Sequence, residues 1–199
     1  MRTRIADGRC SGLCKGLLCG LALALASCAA APEEGASPTS SAVTPVGTVE
    51  VSGAPVSFRY PNVLGGDLAS EDLRGRVSVL LLMTTYDVPS QAEVAFLTRL
   101  HKEHVPRINA ALIVLEPPES RDIVREYVRA LAVDYPVGMA DAATIAGRGP
   151  FESLQHVPSV VILDRQGKER FRHLGPMRYA DLKAAVNKVE SESGVDKPK

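Results

Sequence analysis

Three short runs of apolar residues constrain this chain more than anything else in it: Val77–Met83, Ala110–Leu115 and Ser159–Leu163. Each is nearly continuous rather than alternating, the pattern of a strand buried on both faces of a sheet. Between the first two lies Ser90–His104, where Val94, Phe96, Leu97 and Leu100 fall on one broad helical face. Two buried strands joined through a helix imply a parallel pair with a right-handed crossover. After the second run, Pro117-Pro118 stops the strand, and Ser120–Leu131 reads as another helix with Ile123, Val124, Tyr127, Val128 and Leu131 inward. The third run is followed by Asp164-Arg165-Gln166-Gly167, a tight turn with glycine where a left-handed residue suits. Glu169–Leu174 then reads as an edge strand and Tyr179–Val189 as a closing helix, with Leu182, Ala185, Val186 and Val189 inward. Upstream, Val56–Tyr60 alternates with period two, and Ser70–Leu73 is a turn or short helix closed by Gly75. The predicted class is α/β, a mixed central sheet with helices on both faces.

The cysteines divide the chain. All four, Cys10, Cys14, Cys19 and Cys28, precede this domain. Arg2, Arg4, Arg9 and Lys15 form a basic leader, followed by an apolar stretch over Gly16–Ala26 that has signal-core length and is short for a membrane span. Leu25-Ala26-Ser27-Cys28 resembles the lipobox of bacterial lipoproteins, which implies a signal peptide over residues 1–27 and a lipidated Cys28 as the first mature residue. An ordinary cleaved signal or an uncleaved anchor are the alternatives. Several acyl chains on one residue are what stable anchoring requires. Ala29, rather than Asp, resembles the outer-membrane sorting default, so the expected location is the bacterial envelope, facing the periplasm or the exterior. Residues 28–47, rich in Ala, Pro, Ser, Thr and Glu, read as a flexible tether. Residues 48–190 are the size of one domain, and 191–199 read as a polar tail. Removing Arg2, Arg4, Arg9, Lys15 and Asp7 leaves 19 basic and 22 acidic groups, a formal charge of −3. Without a basic stripe, nucleic acid is not an expected partner.

Two segments carry a family resemblance. Asp72-Leu73-Arg74-Gly75-Arg76-Val77 before a buried strand, and His156-Val157-Pro158-Ser159 running into Val160–Leu163 and Asp164-Arg165-Gln166-Gly167, resemble the redoxin branch of the thioredoxin fold. That branch contains exported thiol-disulfide reductases and peroxiredoxin-like proteins. The resemblance covers residues 55–190 and implies a cis peptide bond before Pro158, next to the active site. It also implies an aromatic residue and a Cys-x-x-Cys pair between the first buried strand and its helix. This chain has Tyr86-Asp87-Val88-Pro89-Ser90 there, with Asp87 and Ser90 at the cysteine positions. Disulfide exchange and peroxide reduction need a thiolate, which neither residue supplies.

Two readings of that loop stand side by side. In one, the old site is an ordinary helix start: Asp87 is an anion in the field of a helix N-terminus, or Ser90 with Glu93 forms a capping box. In the other, Tyr86, Asp87, Ser90, His156, Val157 and Pro158 wall a cleft that takes an extended peptide by backbone pairing. No catalytic residue and no cofactor are expected. His156 is near enough in sequence to Pro158 to meet Asp87 and support non-thiol chemistry, but no nucleophile completes a set. His101 and His104, three residues apart, lack a third ligand and make a poor metal site. They are expected at the margin of the buried face or in solvent. His173 is expected on a solvated edge. Gly147-Arg148-Gly149-Pro150 has no strand–helix context for phosphate and reads as a connection. The expected function is a redox-inactive envelope module that binds a protein or peptide. The alternatives are a thiol-disulfide or peroxiredoxin-like pathway member using a partner's thiol, chemistry at Asp87 and His156, or a structural spacer.

Overall fold

The computed structural model describes residues 46–49, 51, 53–151, 154 and 156–193. The signal segment, Cys28, Ala29, most of the tether and residues 194–199 lie outside the described residues.

The first apolar run is strand β4 (Val77–Met83), and every one of its seven residues is buried. It is the centre of a six-stranded sheet. The strands before it are β1 (Gly47–Val49), β2 (Arg59–Pro61) and β3 (Asp67–Ala69). After it come α1 (Val88–His104), β5 (Ile108–Val114), α2 (Arg121–Ala130), β6 (Val137–Met139), α3 (Ala142–Ile145), β7 (Ser159–Leu163), β8 (Glu169–Leu174) and α4 (Tyr179–Ser193). The sheet order is β1-β8-β7-β4-β5-β6. Strands β4, β5 and β6 are parallel, and β7, β8 and β1 add antiparallel neighbours. Chain segments β4-α1-β5 and β5-α2-β6 are the two crossovers that the apolar runs imply.

The long helices share one face. Val94, Leu97 and Leu100 of α1, Val124 and Val128 of α2, and Leu182, Val186 and Val189 of α4 pack with Val79, Leu81, Leu112 and Ile162. The opposite face is covered by Val56, Phe58, Tyr60, Leu68 and Leu73 of the amino-terminal segment, together with Phe151 and Leu154. Helical structure on this second face is short. It consists of the 3-10 turn Ser70–Leu73 and α3, which is tied in by a 2.7 Å hydrogen bond between the Tyr60 and Thr144 hydroxyls.

Several expectations need correction. Glu169–Leu174 is not an edge strand, because β1 pairs along its outer side with Gly47 opposite Leu174. The tether therefore ends before Gly47. The Val56–Tyr60 segment buries Val56, Phe58 and Tyr60 as its alternation requires, but its regular strand is Arg59–Pro61 in a separate hairpin with β3. Ile123 and Leu131 are exposed, since α2 is short and presents Val124 and Val128, with Tyr127 partly buried beside them, to the core. Residues 191–193 continue α4 rather than belonging to a tail. His104 is buried, 3.6 Å from Glu190 and 3.0 Å from the Arg107 guanidinium, not at the margin. The turn at Asp164–Gly167 is as expected. The buried Asp164 carboxylate accepts from the amides of Gln166 and Lys168 and from Arg170, and Gly167 takes a φ of +77°.

Candidate functional site

The carboxyl ends of β4 and β5 and the start of β7 meet at one edge of the sheet. Leu82 of β4 pairs with Ile113 of β5 on one side and with Ser159 of β7 on the other. The loop Thr84–Asp87 leaves β4 there, and His156-Val157-Pro158 enters β7 beside it. The Val157–Pro158 peptide bond is cis, the isomer that the resemblance implies. Pro158 is buried and His156 and Val157 are half-buried. The His156 carbonyl accepts the Ser159 hydroxyl at 2.6 Å.

Of the two caps open to helix α1, the structure uses Asp87. Its Oδ2 accepts the Ser90 amide at 2.8 Å and the Ser90 hydroxyl at 2.6 Å. Pro89 follows in the first turn, where its missing N–H costs nothing. His101, Lys102 and His104 in the last turn suit the negative end of the helix dipole. Ser90 is 0% exposed. Asp87 and Ser90 are thus bonded to each other, the half-buried carboxylate above and the buried hydroxyl below. Their flanks are different: Tyr86 is 77% and Val88 73% exposed. Tyr86 is on the loop and Val88 begins α1, so two exposed apolar side chains flank the cap.

The loop is pinned from behind. Glu116, just past β5, is buried, and its Oε1 accepts both the amide and the hydroxyl of Thr85. Gln91 Nε2 donates to the Thr85 carbonyl at 3.1 Å. Thr85, the residue before Tyr86, therefore has its amide, hydroxyl and carbonyl all engaged. One turn along α1, Glu93 is 2% exposed. The capping box with Ser90 does not form. Glu93 Oε1 instead accepts the Met177 amide, and Oε2 has no partner. Burial pushes its carboxyl pKa up, against the lowering by the Met177 N–H. Sequence patterning held a signal for both. Glu116 continues the two-residue alternation of Ile108, Ala110, Leu112 and Val114 toward the helix-covered face. Glu93 lies at helical spacing from Leu97 and Leu100, but its spacing from Ser90 also fits a cap.

A groove of about 470 Å³ runs along α1, lined by Val94, Ala95, Thr98, Arg99, Lys102 and Leu131 among others. None of the six candidate residues lines it. Among the described residues, no three histidine, cysteine or carboxylate side chains are grouped so as to hold a metal ion, and no helix is long and apolar enough to cross a membrane.

No protein-family model matches the chain, and no curated protein matches it. Solved structures do. A DsbF homologue from Corynebacterium diphtheriae superposes with a TM-score of 0.61 at 20% identity, over 68% of this chain and 86% of that one. The fold is thioredoxin-like. A thiol:disulfide interchange protein of the thioredoxin family from Chlorobium tepidum gives 0.57 at 22% identity, over 71% of this chain and 97% of that one. A secreted thiol-disulfide isomerase from Corynebacterium glutamicum gives 0.57 at 22%, over 67% and 84%. In this thioredoxin-like domain, Asp87–Ser90 opens the helix that follows the central strand β4, and cis-Pro158 opens the antiparallel strand beside it.

Proposed function

We propose that this chain is a lipid-anchored envelope protein whose thioredoxin-like domain binds a segment of a partner protein and carries no thiol chemistry of its own. One observation carries the reading. The residues standing at the cysteine positions of the resemblance are bonded to each other as a helix cap, while Tyr86 and Val88 on either side of the cap face solvent. The cap is structural, and the exposed pair is the part available to a partner. Pinning by Glu116 and Gln91 supports the same reading, since a preorganised loop loses little entropy when it is covered. A partner segment in extended form has the half-buried Val157 backbone beside it to pair with.

The test is disulfide reduction by the chain from Cys28 onward carrying Cys28→Ser, which contains no sulfhydryl. Its companion carries Asp87→Cys and Ser90→Cys in addition. The expected result is an inactive parent and an active companion. Turnover by the sulfhydryl-free chain would overturn the proposal.

The names of the similar structures favour a second reading, in which the domain serves a thiol–disulfide pathway and the partner supplies the thiol. Under that reading, proteins captured from envelope extracts by the wild type, and lost with Tyr86→Ala, carry redox-active cysteine pairs. Captured proteins without such pairs leave the binding module as the better account.

A further inference from the structure

The chain that leads back to Cys28 leaves the domain at one particular end. Strand β1 is antiparallel to β8, and β8 is antiparallel to β7, so β1 and β7 run in the same direction. Gly47 pairs with Leu174, Leu174 with Ser159, and Ser159 with Leu82. These four residues form one row across the sheet. At about 4.8 Å per strand, Gly47 is about 10 Å from Ser159 and about 14 Å from Leu82. Pro158 immediately precedes Ser159, and the Tyr86 loop begins two residues after Leu82.

Contacts at this corner agree with the register. The Gly175 amide donates to the Pro158 carbonyl at 2.9 Å. The other side of Gly175 is against Val46, where an added β-carbon would lie 2.5 Å from Cγ1. Val46, the first described residue, thus packs on the residue that holds the carbonyl of Pro158. The far end of the sheet is the start of β4, about 20 Å away along its seven residues. Arg76 is exposed there, and α1 returns to that end to stop at His104.

We propose that the anchor keeps the Tyr86–Pro158 end of the domain on average nearer the bilayer than the opposite end, so that the partner of this site is an extramembrane segment of a membrane-embedded protein. The inference rests on the lipid anchor and the binding role argued above. The residues between Cys28 and Val46 span at most roughly 65 Å when fully extended. That reach exceeds the length of the sheet, so either end can touch the bilayer; a site about 10–15 Å from the exit point is on average nearer to it than the far end, about 20 Å along the sheet. A partner seated at the bilayer surface therefore meets the Tyr86 end at the higher effective concentration. The surface chemistry favours a protein over lipid headgroups. Residues 84–91 and 156–158 contain Asp87 and no lysine or arginine, while anionic headgroups draw clusters of basic residues.

The chain lacks tryptophan, and from Cys28 onward it has a single cysteine. Tyr86→Trp and Arg76→Trp therefore create unique donors at the two ends, and Lys102→Trp is a second far-end donor. Each protein is coupled through Cys28 to a maleimide lipid in vesicles that carry a dansyl-headgroup acceptor. This fixes the anchor chemically, so the readout does not depend on lipidation in cells. Energy transfer is expected to be greater from position 86 than from 76 or 102. Equal transfer from the two ends, or greater transfer from the far end, overturns the orientation. A photo-crosslinking residue at position 86 in cells identifies the partner. Adducts with detergent-phase membrane proteins are expected; adducts only with soluble proteins, or only with lipid, overturn the partner assignment. Failure of the binding reading looks different: Tyr86→Ala and Asp87→Arg would capture the same proteins as the wild type while the energy-transfer contrast persisted.

Discussion

Replacing Asp87 with alanine separates a structural cap from a chemical group. Two losses follow from the geometry. The first is the cap itself, the bond from the Ser90 amide to Oδ2, worth about 1 kcal/mol within a range of roughly 0.5–2. The second is the acceptor of the Ser90 hydroxyl. That hydroxyl is 0% exposed and donates to the same oxygen, so removing the carboxylate strands a buried donor at a cost of about 1–3 kcal/mol. Together these give about 2–4 kcal/mol of lost stability. At roughly 2–4 °C per kcal/mol for a domain of this size, Tm falls by about 4–16 °C. Asp87→Asn keeps an oxygen in place and should cost far less, since Asn caps nearly as well as Asp. Asp87→Ala with Ser90→Ala removes donor and acceptor together, so the double variant should be less destabilised than the sum of the singles, with a coupling of about 1 kcal/mol or more. Urea denaturation of the four proteins, with unchanged m-values, measures the cycle. A loss below about 0.5 kcal/mol for Asp87→Ala, or strictly additive singles, would refute the reasoning. The pair would then be retained for something other than holding α1.

Two further changes probe the shell behind the loop. Glu93→Gln should stabilise the domain at neutral pH and flatten its stability against pH. The folded pKa of Glu93 is raised by burial, so its contribution is fully present below the unfolded value of 4.5 and is lost as pH rises through the folded value. Glutamine keeps an acceptor for Met177 without that loss, and matching slopes for the two proteins from pH 4 upward would contradict the assignment. Glu116→Ala should raise amide exchange at Thr85 by roughly tenfold or more, since a charge-assisted bond is lost, whereas Glu116→Gln should retain most of the protection. Unchanged exchange in the alanine variant would remove Glu116 as the clamp of the loop.

The parts of the fold that were legible are those whose burial is two-sided or strictly periodic. Val77–Met83 and Ser159–Leu163 could only be central strands, and both have the bounds their apolar runs imply. The Asp164–Gly167 turn was readable because its glycine position has a backbone requirement that few residues meet, whereas the cis bond before Pro158 came only from the family resemblance. What stayed hidden was short or held by distant partners. Strands β1, β3 and β6 have three residues each, too few for a period to show. Gly138 in β6 is there because a β-carbon would lie 3.0 Å from both Leu68 and Tyr60, a contact between segments far apart in sequence. Ile123 was misplaced because its spacing suits a helix with a wide apolar face, while α2 buries only a narrow one.

At the site, sequence reasoning found the residues and could not arrange them. Ser90 and Glu93 have capping-box spacing, yet Asp87 lies three residues before Ser90 and accepts both its amide and its hydroxyl. Ser90, with its hydroxyl drawn to Asp87, turns inward, and Glu93 on the same face is carried into the core. A carboxylate there is an electrostatic cost that no local preference explains, because glutamine would serve Met177 equally well. Its burial follows from helical spacing: with Val94, Leu97 and Leu100 inward, residues 90 and 93 lie on the same stripe of α1. Tyr86 and Val88 lie off that stripe and face solvent on either side of the cap.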